Sequence, residues 1–168
     1  MNAFYHGKHL SFLDSFQFMS SSLAKLIDNL PEDRFIYTKE YFPDENPFRL
    51  MRKKGVYPYH YMDSFEKFGD TQLPEREDFY SLLTDEDIGV SDYQYAEEVW
   101  NTFRLKNMGE YHDLYLKSDI LLLADVFENF REACLEYYGL DPAHYVTSPG
   151  LAWDAMLRMT GTNLELNY

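Results

Sequence analysis

The chain has 168 residues, a formal net charge of −14, 45% hydrophobic residues and 18% aromatics. That apolar mass suffices for a core and excludes disorder throughout, while the acid excess excludes a general phosphate-binding surface of Lys and Arg. Cys134 is the single cysteine, so no disulfide framework forms within the chain, which fits a reducing compartment. The amino-terminal run Met1 to His9 has no apolar signal region. Ile120 to Ala124 is the longest apolar run and is too short to span a bilayer. These features predict a soluble intracellular protein, nuclear or cytoplasmic, with no membrane partner.

In chain order, Leu10 to Leu13 reads as a short strand leading into Asp14-Ser-Phe-Gln-Phe-Met19. Ser20, Ser21 and Ser22 are N-cap candidates for a helix carrying Leu23, Leu26, Ile27 and Leu30, which Pro31 stops. Few periodic signals follow as far as Pro58, and Pro43-Asp-Glu-Asn-Pro47 is turn chemistry. Val56-Tyr-Pro-Tyr-His-Tyr-Met62 is aromatic and proline-broken, and reads as extended. Pro74 to Leu83 predicts a short helix with acids in its first turn, and residues 85–89 a turn. Ser91 or Asp92 opens a helix with Tyr95, Val99, Trp100 and Phe103, which Gly109 breaks. A long helix is predicted from about Tyr111 to Tyr138, closed by Gly139. Ser148-Pro-Gly starts the last helix, whose apolar face is Leu151, Met156 and Met159, and Gly161 ends it. Asn163 to Tyr168 reads as a strand cut short. The chain starts and stops without domain punctuation, which predicts a truncated product.

The long helix carries the chemistry. Tyr115 and Asp119 are four residues apart, on one helix face and one turn from each other. A carboxylate so placed can ligate a divalent metal, and the phenol can orient the water that the metal activates. Tyr-x-x-x-Asp is common by chance, and from spacing alone the pair reads first as an ordinary helix-surface pair. The apolar run Ile120, Leu121, Leu122, Leu123, Ala124, Val126, Phe127 follows directly and would hold the carboxylate rigidly.

The segment Tyr115-Leu-Lys-Ser-Asp-Ile-Leu-Leu-Leu-Ala-Asp-Val-Phe127 resembles the third exonuclease motif of family-B DNA polymerases, Tyr-x-x-x-Asp before a long apolar helix. It is most similar to the protein-primed branch, found in certain bacteriophages, adenoviruses, linear plasmids and Maverick/Polinton-type transposons. Asp14-Ser15-Phe16 resembles that branch's Ser/Thr-Leu-x-x-hydrophobic motif, with Phe16 where leucine is usual. Lys54-Gly-Val-Tyr57 resembles its Lys-x-x-hydrophobic motif, and Lys53 with Val56 fits the same pattern one residue earlier. The resemblance runs from about Leu10 to Tyr168, with the motifs in the family's order.

That resemblance implies an α/β parent, a ribonuclease-H-like exonuclease domain, of which this chain is a mainly helical fragment with a few short strands. Residues 1–140 would be the C-terminal part of the 3′-5′ exonuclease domain, and 141–168 a connector towards the polymerase palm. The implied chemistry is two-metal phosphodiester hydrolysis with Mg2+ or Mn2+. Asp119 would be a metal ligand, Tyr115 would position the water, and Lys54 would stabilise charge near the scissile phosphate. Ser15 and Phe16 would hold a single-stranded DNA primer terminus and contact the terminal protein, and the rest of the polymerase chain would be a further partner. Arg52 and Lys53, in the main local cluster of positive charge, are phosphate-contact candidates, against the plainer reading of a solvated loop. The upstream Asp-x-Glu and Asn-x-x-Phe/Tyr-Asp motifs and the palm Asp-x-x-Ser-Leu-Tyr-Pro are absent from these 168 residues. The fragment alone is therefore expected to be inactive, with one of four metal-binding carboxylates.

The remaining residues read as structure. The five histidines lack partners at zinc spacing. Cys134 reads as a small buried apolar residue, Trp100 and Trp153 as core, and Asp125 as solvated or salt-bridged. Tyr57, Tyr59 and Tyr61 either stack on bases or pack against the core. The alternative functional class is a non-catalytic, transposon-derived interaction module.

Overall fold

The computed structural model describes residues 2–83 and 85–164. Among the described residues, six α-helices, several single 3-10 turns and one two-stranded sheet make it mostly helical, as expected of a helix-rich chain. The chain packs as two units: residues 1–22 with 127–168 form the first, and residues 23–126 form the second. This division is one of packing, whereas the expected boundary at 140 is one of function.

In the first unit, β1 (Asn2–Tyr5) pairs antiparallel with β2 (Lys8–Ser11) in the register Tyr5 to Lys8. His6 and Gly7 join them with φ of 47° and 76°, both left-handed. A two-residue hairpin turn of this kind needs positive φ at both positions, and glycine meets that without a Cβ clash. The strand expected at Leu10–Leu13 is therefore β2, begun two residues earlier. Asp14 caps the 3-10 turn Ser15–Gln17 by accepting from the Phe16 amide at 3.0 Å. Phe18 packs against Phe127 and Phe130.

The helix α5 (Met108–Tyr138) runs from one unit into the other. Gly139 at φ 65° closes it, and Arg131 then forks onto Asp141 at 2.9 and 2.6 Å. α6 (Ser148–Thr160) opens with Pro in its first turn and ends at Gly161, φ 66°. It buries Leu151 and Ala155. Leu151, Met156 and Met159 share one apolar face as expected, with Met156 and Met159 partly exposed, while Trp153 is 54% exposed and its expected core role is corrected. An apolar groove of about 510 Å³ lies along this face, lined by Phe130, Cys134, Leu151 and Met159 among others. Cys134 is buried as expected. Residues 165–168 of the expected terminal strand lie outside the described residues, and Asn163 and Leu164 are not in a strand.

In the second unit, α1 (Leu23–Asp28), α2 (Ile36–Tyr41), α3 (Glu45–Met51), α4 (Val90–Thr102) and the first part of α5 surround a core of Ile27, Phe48, Leu50, Val99, Met108 and Leu122. Each such side chain contributes about 1.5–3 kcal/mol on burial. α2 and α3 fall where few elements were expected. Pro47 stands in the first turn of α3, where a missing N–H costs no helical bond. Residues 55–58 lie in neither helix nor strand, and Tyr59 to Tyr61 form a turn. Gly109 does not break a helix: it lies inside the first turn of α5, where a Cβ would come 3.3 Å from the Phe68 carbonyl oxygen. The start of α5 is fixed instead by Asn107, whose Oδ1 accepts from the Glu110 amide at 2.9 Å, while Glu110 reaches back to the Lys106 amide at 2.8 Å. This is a relative of the capping box.

Asp125 is neither solvated nor salt-bridged, as had been expected. It is 2% exposed and accepts from the amides of Tyr37 (2.7 Å) and Thr38 (3.1 Å) and from the Thr38 hydroxyl (2.6 Å). The carboxylate on α5 thus caps the free amides of α2 from 87 and 88 residues away.

Candidate functional site

Three residues singled out from the sequence meet in the second unit. Tyr115 and Asp119 lie one turn apart on α5, and Lys54 comes from the loop after α3. The Lys54 ammonium donates to the Tyr115 hydroxyl at 2.5 Å and to Asp119 Oδ2, across sequence separations of 61 and 65 residues. It also stands 4.4 Å from the centre of the Tyr115 ring. The two charged side chains are about a quarter exposed, at 27% and 24%.

Aromatic neighbours hold Tyr115. The Tyr57 ring stacks on it at 4.9 Å, and the Tyr59 hydroxyl lies 2.6 Å from the Tyr115 hydroxyl. Tyr57 is fixed in turn by His112 Nδ1 at 2.7 Å. Gly55 touches the ring, and a Cβ there would fall 2.9 Å from Tyr115 Cδ2. Burial first, then the Tyr59 hydrogen bond and the Asp119 charge, push the Tyr115 phenol well above the ordinary range, so it stays protonated. The arrangement supplies a neutral hydroxyl and a fixed cation next to one carboxylate. Such a pair can orient a polar reactant and stabilise developing negative charge.

Asp119 Oδ1 is buried and accepts no hydrogen bond among the described residues. An unpaired anionic oxygen of this kind is an available ligand atom. It is nonetheless one carboxylate with its other oxygen bound to Lys54, and no group of three His, Cys, Asp or Glu residues is placed to hold a metal ion among the described residues. The residues present therefore do not by themselves fit a divalent-metal centre.

The other candidates are placed elsewhere. Lys53 turns to α4, bonding Asp92 at 2.8 Å with its ammonium 4.8 Å from the Tyr95 ring centre, so Lys54 and not Lys53 reaches the Tyr115–Asp119 pair. Arg52 pairs with Glu32 at 2.7 Å and stacks over Phe48. Each of these two cations has a carboxylate partner, so they do not form an open basic patch. Ser15 and Phe16 belong to the first unit, Ser15 half-buried and Phe16 57% exposed. Tyr61 bonds Asp70 at 2.5 Å under the Lys67 ammonium. The role of Tyr59 against Tyr115 was not legible, because hydroxyl pairing leaves no spacing signal. No family model, curated protein or solved structure matches the chain.

Proposed function

We propose that this chain is part of a protein-primed family-B DNA polymerase and contributes Lys54, Tyr115 and Asp119 to its 3′-5′ exonuclease site. The observation that carries the reading is the Lys54 ammonium bridging the Tyr115 hydroxyl and the Asp119 carboxylate. The resemblance selected these residues from two motifs far apart in sequence, and chance gives no reason for them to touch. In the proposed site Asp119 would be one carboxylate ligand, Tyr115 would hold the attacking water by its protonated hydroxyl, and Lys54 would face the scissile phosphate. The Mg2+ or Mn2+ ions of that chemistry need further carboxylates from outside these 168 residues. The parent domain would be ribonuclease-H-like, with residues 141–168 leading to the palm. Ser15 and Phe16 would meet the primer strand or terminal protein.

The test is to read the gene on both sides and to express the chain with its neighbouring sequence. Asp-x-Glu upstream and Asp-x-x-Ser-Leu-Tyr-Pro downstream are expected. The extended protein should degrade single-stranded DNA from its 3′ end, and Asp119→Ala or Tyr115→Phe should slow it by about a hundredfold or more. Equal activity in wild type and Asp119→Ala, or stop codons where both motifs belong, would overturn the proposal. The chain alone is expected to leave DNA intact. A second reading, a non-catalytic interaction module, is favoured by the pairing of Arg52 and Lys53 with acids and by the exposed apolar groove of the first unit.

A further inference from the structure

The Lys54 side chain is well placed although its backbone is not part of any helix or strand. Among the described residues, no backbone-to-backbone hydrogen bond involves residues 54–56. What holds this segment is a pair of phenols. The Tyr95 hydroxyl, from α4, donates to the carbonyl of Leu50 at 2.8 Å and lies 3.4 Å from that of Lys53. The Tyr111 hydroxyl, from α5, donates to the carbonyl of Val56 at 2.7 Å. The two contacts flank Lys54 on either side.

Both phenols face the interior, and Tyr95 is half-buried beneath the segment. Tyr111 is 4% exposed, lies beside Trp100 and stacks parallel to Tyr57. Burial pushes both hydroxyls far above the ordinary phenol range, so they remain donors at any working pH. The space beneath the segment, lined by Met51, Gly55, Tyr95, Tyr111 and Tyr115, amounts to about 10 Å³. That is at the lower limit for one water molecule, so solvent is a poor substitute for either hydroxyl.

We infer that Tyr95 and Tyr111 are positioning residues for Lys54: their hydroxyls clamp the backbone on both sides of it and so set its ammonium between Tyr115 and Asp119. The inference rests on the exonuclease reading only for the importance of Lys54, not for the geometry. Removing either hydroxyl frees the loop, and the ammonium leaves its two acceptors for solvent.

The experiment measures lysine reactivity in the folded chain. Wild type, Tyr95→Phe, Tyr111→Phe and the double variant are reductively methylated with formaldehyde for short times, and each lysine is quantified by peptide mass spectrometry. Urea unfolding is measured in parallel. Lys39 and Lys117, away from the clamp, serve as references. The expected result is that Lys54 labels roughly threefold faster in each single variant and about tenfold faster in the double variant, with the references unchanged. Unchanged Lys54 labelling in folded variants overturns the inference, and so does a rise shared equally by all lysines, which marks general loosening. Should the double variant not fold, the single variants decide. The readout follows Lys54 placement and not DNA cleavage, so its failure leaves the exonuclease reading intact, and failure of that reading leaves the clamp intact.

Discussion

Replacing Asp125 by alanine tests how α2 is held. Six residues are too few for a helix to persist without tertiary support. Its amides at Tyr37 and Thr38 and the Thr38 hydroxyl all donate to the Asp125 carboxylate. Losing a helix cap costs about 1 kcal/mol. Each buried donor left without an acceptor costs about 1–3 kcal/mol. Thr38 is fully buried, while Tyr37 is 41% exposed and can turn to water, so the three losses do not simply add. The expected total for Asp125→Ala is about 3–5 kcal/mol, a large part of a domain's net stability of about 5–15 kcal/mol. Asp125→Asn keeps one acceptor but turns an amide donor towards the Thr38 donors, and is expected to cost about 1–3 kcal/mol. Urea unfolding followed by far-ultraviolet circular dichroism gives the free energies, and hydrogen exchange gives the protection of the Tyr37 and Thr38 amides. Both amides should exchange faster in Asp125→Ala. A loss below about 1 kcal/mol with both amides still protected refutes the reasoning.

Gly55→Ala places a Cβ 2.9 Å from Tyr115 Cδ2, so the ring or the loop must shift. The expected cost is about 1–3 kcal/mol in urea unfolding, and a stability equal to wild type would show that the contact is easily relieved. The hydrogen bonds from Arg131, helped by the Ala143 amide, hold Asp141 at about 2, below its ordinary 3.8. A lowered carboxylate stabilises the fold above the unfolded value, and that stabilisation fades as pH falls from about 3.8 through about 2. Asp141→Asn should therefore flatten the stability profile in that window by about 1–2 kcal/mol, with the partial exposure of the pair discounted. An unchanged profile would show that Arg131 does not favour the charged form. Burial, with the Asp141 charge, raises the Cys134 thiol, so little thiolate forms at mildly alkaline pH. A disulfide reagent should react with it only as the chain unfolds, and rapid labelling of the native protein would contradict its burial.

The long helix was legible because its signals are local. Thirty-one residues, an apolar run and a left-handed glycine at the end leave little choice. Its start was misjudged because Gly109 was read for flexibility, while Asn107 and Glu110, three apart, carry the cap. α2 and α3 were missed for a different reason. With six and seven residues they lack two full turns of periodicity, and the cap of α2 lies on α5, far along the chain. A side chain that completes another element's hydrogen bonds leaves no trace in local spacing. Asp125, inside an apolar stretch, was the visible clue: a carboxylate buried there needs donors from elsewhere. Trp153 erred the other way. Its helix was correctly placed, but hydrophobicity does not say which flank meets the core, and Leu151 and Ala155 take that flank. In the site, the resemblance supplied Lys54, Tyr115 and Asp119. The acids that occupy Arg52 and Lys53 could not be foreseen, because Glu32 and Asp92 come from separate elements.

The three neighbouring cations differ in how firmly their acids hold them, and that difference separates gripping from chemistry. The Glu32 side chain is 69% exposed and that of Asp92 43%. Lys53 is itself 52% exposed, whereas Arg52 is 27% exposed, as Lys54 is. Exposed ion pairs are worth about 0–1 kcal/mol, so exchanging Asp92 for a phosphate costs Lys53 little. Lys54 and Asp119 are only about a quarter exposed, the ammonium also binds Tyr115, and the buried Oδ1 accepts no hydrogen bond among the described residues. Withdrawing Lys54 would strand a partly desolvated carboxylate, which costs several kcal/mol where a surface pair costs a fraction. Lys53 can therefore trade partners while Lys54 stays in place. The net charge of −14 works against long-range attraction of a polyanion. A nucleic acid brought to this surface by other means would find one exchangeable cation, Lys53, beside one that is fixed, Lys54. On the proposed exonuclease reading, the first would grip the strand and the second would stay in place as the strand moves.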